Sequence, residues 1–266
     1  MNDKGLDFGG NVLYANDGSA LDSTGEDCSC EVIQDGMGVD VGDYNRDGLP
    51  DLFLSAATRN ILLEAAGDGS FIDVTASLGA DSVAEGDSMA WSGIFLDWDN
   101  DGDQDLLVAQ GALLNSDVDR DNPGPLDLMS WEDTAFVNLA ASLGLGQSEN
   151  YRSLVAVEFN QDGVLDLLAT RIAERPLLYL SEGCTAEGWL EVEAPVGSRI
   201  QVEAGGTTQT AWISTESSCG AARPPTRHFG LGTAREVDAL HVLQPDGQIS
   251  SAQGPFCGRR RVLVQP

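Results

Sequence analysis

An acidic nine-residue pattern occurs three times along this chain, and it limits the possible folds more than any other feature. Asp43–Asp51 reads DYNRDGLPD, Asp97–Asp105 reads DWDNDGDQD, and Glu158–Asp166 reads EFNQDGVLD. Each has the form acid-x-(Asp/Asn)-x-Asp-Gly-x-x-Asp and runs on into an apolar stretch: LFLSA, LLVAQ and LLATR. A second element recurs between them, FIDVTASLG from Phe71 and FVNLAASLG from Phe136. Two independent elements in the same order define an internal repeat of roughly 55–60 residues, the mark of a propeller or a solenoid.

The apolar stretches beside each loop, such as GIFLDW and DLLVAQ, have strand length, and GDGS, NDGD and NPGP punctuate the chain as turns. Each acidic loop is therefore expected to join two antiparallel strands of a repeated sheet. NVLYANDGS, from Asn11, matches the part of a repeat that follows a loop, so the chain is expected to open in mid-repeat. From about Cys184 the acidic loops stop, and RIQVEA, TAWIS and VDALHVL alternate with Gly- and Pro-containing turns. The expected organisation is all-β: a partial array of about three propeller-type blades over residues 1–183, then a small β-rich domain over 184–266.

Alternating oxygen donors on a tight loop are calcium chemistry, since Ca2+ takes six to eight oxygens in flexible geometry. In the second loop Asp97, Asp99 and Asp101 supply carboxylates, Asp103 its backbone carbonyl, and Asp105 closes the site. The equivalent sets are Asp43, Asn45, Asp47, the Leu49 carbonyl and Asp51, and Glu158, Asn160, Asp162, the Val164 carbonyl and Asp166. An EF-hand needs a bidentate acid at position twelve and helices on both sides. Position twelve is Leu54, Val108 or Ala169, so the expectation is a β-hairpin calcium loop, with about three Ca2+ sites. Magnesium, which resists dehydration, suits such all-protein sets less well. A fourth stretch, Asp117–Asp127, lacks the turn glycine and reads as a solvated acidic turn.

With 43 acidic residues against 14 basic ones, the chain has a formal charge of -29 and no footprint for nucleic acid. No apolar run approaches the ~20 residues of a membrane span. The first residues, Met-Asn-Asp-Lys-Gly, do not read as a signal peptide. The five cysteines fit one or two disulfides plus a spare thiol in an exported protein, with Cys219 and Cys257 able to pair. Extracellular or periplasmic placement is expected, with the cytoplasm as the alternative.

At these residues the chain resembles known families. The three loops, each followed by an apolar strand, resemble the FG-GAP/VCBS repeats of the integrin α-subunit β-propeller. The C-terminal part is similar to the ASPIC/UnbV domain through GSRIQVEAGGTTQT, RHFGLG and VDALHVLQPDG. The two together, in this order, resemble the cartilage acidic protein (CRTAC) family and its bacterial relatives. The resemblance implies a secreted, calcium-bound β-propeller with a β-rich module, acting in adhesion or interaction with a protein or glycan. Gln244 departs from the pattern, standing where relatives have an aromatic residue, and Glu158 replaces the usual aspartate. Three full repeats are few for a closed ring, so the array is expected to be covered by the C-terminal domain, another copy or chain, or a further N-terminal part.

No catalytic triad, phosphate loop or redox-metal cluster is present, so no catalytic or organic-cofactor residues are assigned. His228 lacks an accompanying nucleophile and reads as a hydrogen-bonded structural histidine. His241 should face solvent, opposite Leu240 and Val242. Arg259–Arg261 read as a solvated cluster on an edge strand, and Trp91, Trp98 and Trp131 as either core or partner-facing. The first functional expectation is a calcium-stabilised binding or adhesion protein. The alternatives are a calcium-dependent enzyme of a bacterial biosynthetic pathway and a subunit of a larger assembly.

Overall fold

The computed structural model describes residues 11–16, 19–23, 28–82, 88–112, 123–181, 187–258 and 260–264. A short hairpin pairs β1 (Tyr14–Asn16) with β2 (Leu21–Ser23). Next come β3 (Gly36–Gly42), β4 (Asp51–Ala56), β5 (Ile61–Ala65) and β6 (Phe71–Asp73), an antiparallel meander in chain order, followed by a one-turn helix α1 (Thr75–Leu78). The second meander is β7 (Ser88–Leu96), β8 (Asp105–Ala112), β9 (Leu126–Glu132) and β10 (Ala135–Asn138). The third has three strands, β11 (Tyr151–Val157), β12 (Asp166–Arg171) and β13 (Leu177–Tyr179). These are propeller-type blades, as the repeat implies.

All three acidic loops occupy the same place. Each leaves the first strand of its sheet, and the second strand begins on the closing aspartate, with Gly42 opposite Asp51, Leu96 opposite Asp105 and Val157 opposite Asp166. Leu54, Val108 and Ala169, at position twelve, lie on β4, β8 and β12.

Side chains alternate across a strand, so a sheet stacked on both faces must be apolar on both. β8 shows this: Leu106 and Val108 enter the core shared with the first sheet, while Leu107 and Ala109 enter the core shared with the third. On β12 only one face is covered among the described residues. Leu167 and Ala169 are buried, whereas Leu168 is 36% exposed and its cross-strand neighbour Leu178 is 42% exposed. The outer face of the first sheet is covered by the segment that carries Cys28, Cys30 and Val32.

The C-terminal module packs two sheets over one core that includes Leu190, Ile200, Val202, Phe229 and Val242. Its strands are β14 (Trp189–Glu193), β15 (Arg199–Ala204), β16 (Thr207–Trp212), β17 (Glu216–Ser218), β18 (Ala221–Ala222), β19 (Thr226–Gly230), β20 (Glu236–Leu243), β21 (Ile249–Cys257) and β22 (Arg260–Leu263). One sheet runs β16-β15-β20-β21 and the other β19-β14-β22, with β14 and β22 parallel. The β17–β18 hairpin leaves these sheets and rests against β3, β7 and β11, the first strands of the three blades. Ser218 Oγ donates to Leu154 O at 3.1 Å and accepts from Leu154 N at 3.3 Å, and Ser153 Oγ donates to Cys219 O. The first strands of the array are thus covered by the chain's own C-terminal hairpin.

Several expectations change. Cys28 and Cys30 form a disulfide, while Cys219 and Cys257 are free, because Cys219 sits at the hairpin turn and Cys257 ends β21 in another sheet. Cys184 and the boundary at 183/184 lie outside the described residues, as do Asp117–Asn122 of the fourth acidic stretch. Asp127, which ends that stretch, is buried on β9 rather than solvated, accepting from Asn138 Nδ2 at 2.7 Å and from Gln110 Nε2. Trp131 packs into the core against Tyr44 and Phe136, and Trp91 lies beneath the Arg152 guanidinium. His241 lies, as expected, on the face opposite the buried Leu240 and Val242, and contacts Ser251 Oγ at 2.8 Å. Arg261 is exposed on the edge strand β22, as expected, and pairs there with Glu191 and Glu193 of β14.

Candidate functional site

The acidic loops share one internal wiring. The closing aspartate accepts from the N–H of the loop's second residue and from the third strand or the segment after it. These donors are Tyr44 and Ala65 for Asp51, Trp98 and Trp131 for Asp105, and Phe159 and Ser181 for Asp166. The position-five carboxylates of Asp47, Asp101 and Asp162 accept from Leu49 N, Asp103 N and Val164 N. Asn45, Asp99 and Asn160 accept from the N–H of position five. Position four is left-handed in every loop (Arg46 φ 60°, Asn100 φ 65°, Gln161 φ 64°), as is the following glycine (Gly48 φ 83°, Gly102 φ 93°, Gly163 φ 90°). Only glycine adopts that conformation without steric cost, which explains its place in the pattern.

The loops differ in what they gather. In loop two one carboxylate oxygen from each of Asp97, Asp99 and Asp105 lies within 4.8 Å of the others. Among the described residues this is the one such trio of His, Cys, Asp or Glu ligands. Asp103 turns outward to Arg46 of loop one. Loops one and three have Asn45 and Asn160 at position three, and loop three opens with Glu158, which accepts from Asp162 N rather than from its glycine.

Electrostatics sets loop two apart as well. Asp97 is 5% exposed; its Oδ2 accepts from Gly102 N at 3.0 Å and Gly230 N at 2.9 Å, and its Oδ1 is enclosed with no hydrogen-bond partner among the described residues. Burial, then the charges of Asp101 and Asp99, hold its carboxyl well above the usual range. Burial also pushes Asp105 up to about 9 and raises Asp99, to which Asp101 adds repulsion. In loop one, burial raises Asp43 and pushes Asp51 up to about 7. A buried carboxylate oxygen without a donor is costly, and a divalent cation beside these three groups removes both the desolvation penalty and the repulsion. The donor set fits Ca2+.

The C-terminal module contacts all three loops. Arg199 Nη2 donates to Gly48 O of loop one at 3.1 Å. The RHFGLG stretch lies on loop two. Besides the Gly230–Asp97 bond, Gly232 N donates to Asn100 O at 2.9 Å, and His228 Nε2 meets Asn100 Oδ1 at 2.6 Å. A Cβ on Gly230 would overlap Asp97 Oδ2 and the Asn100 backbone, so the approach requires glycine. Trp189, stacked on His228 at 5.8 Å, lies over Gly163 of loop three. The loops also join each other, through Arg46–Asp103, Gln104 Oε1 accepting from Asp43 N at 3.0 Å, and Asn100 Nδ2 donating to Gly163 O at 2.8 Å. His228 is thus a structural, hydrogen-bonded histidine. Asn100, Arg199, Gly230 and Gly232 carry the contact yet lie outside the ligand pattern; the RHFGLG motif was the signal for two of them.

A second interface joins Asp40 of β3 to Arg223 by two hydrogen bonds, at 2.6 and 3.1 Å. Beside loop two, a cavity of about 560 Å3 opens between the second and third sheets, lined mostly by aliphatic residues together with Trp98, Tyr179, Ser181 and Asp99.

Comparison with known families matches two stretches of the chain. Residues 43–108 match the FG-GAP-like repeat, and residues 192–266 match the ASPIC and UnbV family. The chain therefore carries FG-GAP and UnbV modules in that order, on a β-rich fold, and the FG-GAP-like repeat points to a β-propeller-like binding or adhesion role. No curated protein matches the chain. Among the described residues no helix is long and apolar enough to cross a membrane.

Proposed function

We propose, for a chain that joins an FG-GAP-like repeat region to an ASPIC/UnbV domain, a calcium-stabilised binding module that works outside the cytoplasm, in the manner of the cartilage acidic protein family. Its partner is a protein or glycan met by the surface of the array away from the acidic loops, and its metal ions brace rather than react. The observation that carries the calcium assignment is the trio Asp97, Asp99 and Asp105 with the enclosed, unpartnered Asp97 Oδ1. Loop two would hold Ca2+ through these carboxylates with Asp101 and the Asp103 carbonyl. Loops one and three would hold it through Asp43, Asn45, Asp47, Leu49 O and Asp51, and Glu158, Asn160, Asp162, Val164 O and Asp166. The bracing role is supported by the contacts of Arg199, His228, Gly230, Gly232 and Trp189 with the loops, which tie the ligand-bearing turns to the C-terminal module.

Metal analysis of the purified protein, with thermal melts in calcium and in EDTA at matched ionic strength, tests the assignment. Bound calcium and a melting temperature that falls on its removal are expected, since a ligand of the native state stabilises by mass action. An unchanged melt after confirmed metal removal would refute it. One observation favours the enzyme reading, the 560 Å3 cavity with Asp99 in its wall, a size suited to a small ligand. Turnover of a small apolar substrate that requires calcium and is lost when Leu145 is enlarged to Trp would establish that reading instead.

A further inference from the structure

We infer that the 228–232 segment of the C-terminal module and the cation of loop two form a single clasp, so that calcium binding and domain docking are two readings of one equilibrium. The inference rests on the calcium assignment above and adds to it what the metal regulates.

The geometry supplies both directions of the coupling. In the docked protein Gly230 N and Gly102 N hold Asp97 Oδ2, which fixes the carboxylate in one orientation, while Oδ1 is enclosed with no partner. Docking thus orients a ligand before the cation arrives, the condition under which binding loses least to ordering. Conversely, docking over an empty loop encloses a carboxylate oxygen that water would otherwise solvate, close to the Asp99 and Asp105 carboxylates. Undocking relieves that cost, and so does a cation, but only the cation relieves it with the domain in place. A ligand that favours one of two states shifts the equilibrium toward it, and the coupling is reciprocal.

What is specific to loop two is a backbone contact on its first acid. Loop one meets the module through Arg199 and through the Thr210 side chain, which hydrogen-bonds Asp43, and loop three through Trp189; among the described residues neither receives a backbone N–H of the module on its first acid. Gly232 N to Asn100 O and His228 to Asn100 Oδ1 hold the same loop from its left-handed residue, which is fully buried. Gln209 Nε2 donates to Gly230 O at 2.6 Å, tying the clasp to β16 of the opposite sheet.

The full chain tests this by two measurements with calcium alone as the probe. In the wild type, hydrogen exchange at Gly230, Gly232 and the β17–β18 hairpin should quicken about tenfold or more in EDTA, the scale of one hydrogen bond to a charged group. Core amides of β15 and β20 should hold their rates. Calorimetry on Gly230→Ala, whose Cβ would push the module off Asp97 and the Asn100 backbone, should show the tightest calcium site weakened by about the same factor. Calcium binding that leaves exchange at Gly230 and Gly232 unchanged overturns the clasp while the calcium assignment stands, and uniform acceleration throughout the module overturns it as well. Absence of calcium binding by the wild type removes the calcium assignment itself. The exchange measurement needs no variant, so misfolding of Gly230→Ala leaves the inference open to refutation.

Discussion

Asp40 lies at the join between the two modules, and its removal should be among the most damaging single substitutions in the chain. Its side chain is 2% exposed and accepts three hydrogen bonds, two from Arg223 at 2.6 and 3.1 Å and one from Phe95 N at 3.0 Å. Asp40→Ala leaves the Arg223 guanidinium, itself 10% exposed, with hydrogen bonds to Ser214 but no counter-charge, beside Arg227, whose own guanidinium is pushed down to about 9 by burial and then by Arg223. Breaking one side of a buried pair costs about 3–5 kcal/mol, and an orphaned N–H about 1–3 kcal/mol. These overlap, so about 4 kcal/mol is expected, or roughly 10 °C in melting temperature for a chain of this size. Urea unfolding followed by tryptophan fluorescence in saturating calcium measures it with the metal held constant. Asp40→Leu combined with Arg223→Met should recover most of the loss, because an apolar pair of similar volume leaves no uncompensated charge. A cost below about 1 kcal/mol for Asp40→Ala, or a double variant as unstable as the sum of its parts, would refute the reasoning.

Other substitutions probe the loops separately. Burial holds His228 down at about 4, below its ordinary 6.5, so its contribution is complete above pH 6.5 and is lost as pH falls toward 4. Urea midpoints across that window should fall by up to about 3 kcal/mol in the wild type, and His228→Gln should flatten this part of the slope. Asp99→Ala should weaken the tightest calcium step seen by calorimetry while Asn45→Ala spares it, because loop two has the most carboxylates; the reverse order would refute the ranking. Gly163→Ala puts a Cβ against the Trp189 indole at φ 90°. A loss of about 2 kcal/mol or more in thermal unfolding is expected.

How much of this was legible in the sequence depends on the distance over which each contact acts. Blades and loops were legible because they are local: the closing aspartate takes the N–H of a residue seven positions earlier, and the glycine's left-handed turn leaves its mark within the nonapeptide. Repetition made the signal redundant, since three loops with one wiring demand three copies of one pattern. The join between modules left no such trace. Asp40 and Arg223 are 183 positions apart, and Gly230 and Asp97 are 133 apart, so no window of sequence holds both partners. What the sequence did contain was one half of each contact without its reason. RHFGLG stood out as a motif, yet the need for glycine at its fourth position comes from Asp97 and Asn100 on another module. His228 read as a hydrogen-bonded histidine at a turn; it lies on β19, and its partner, Asn100, occupies a position that the acidic pattern leaves open. An asparagine there is both the residue that tolerates the left-handed turn and the one whose amide and backbone can bind two neighbours at once. Position four of loop two is therefore set by the domain it meets rather than by the metal, which is why Arg46 and Gln161 stand at the same place in the other loops.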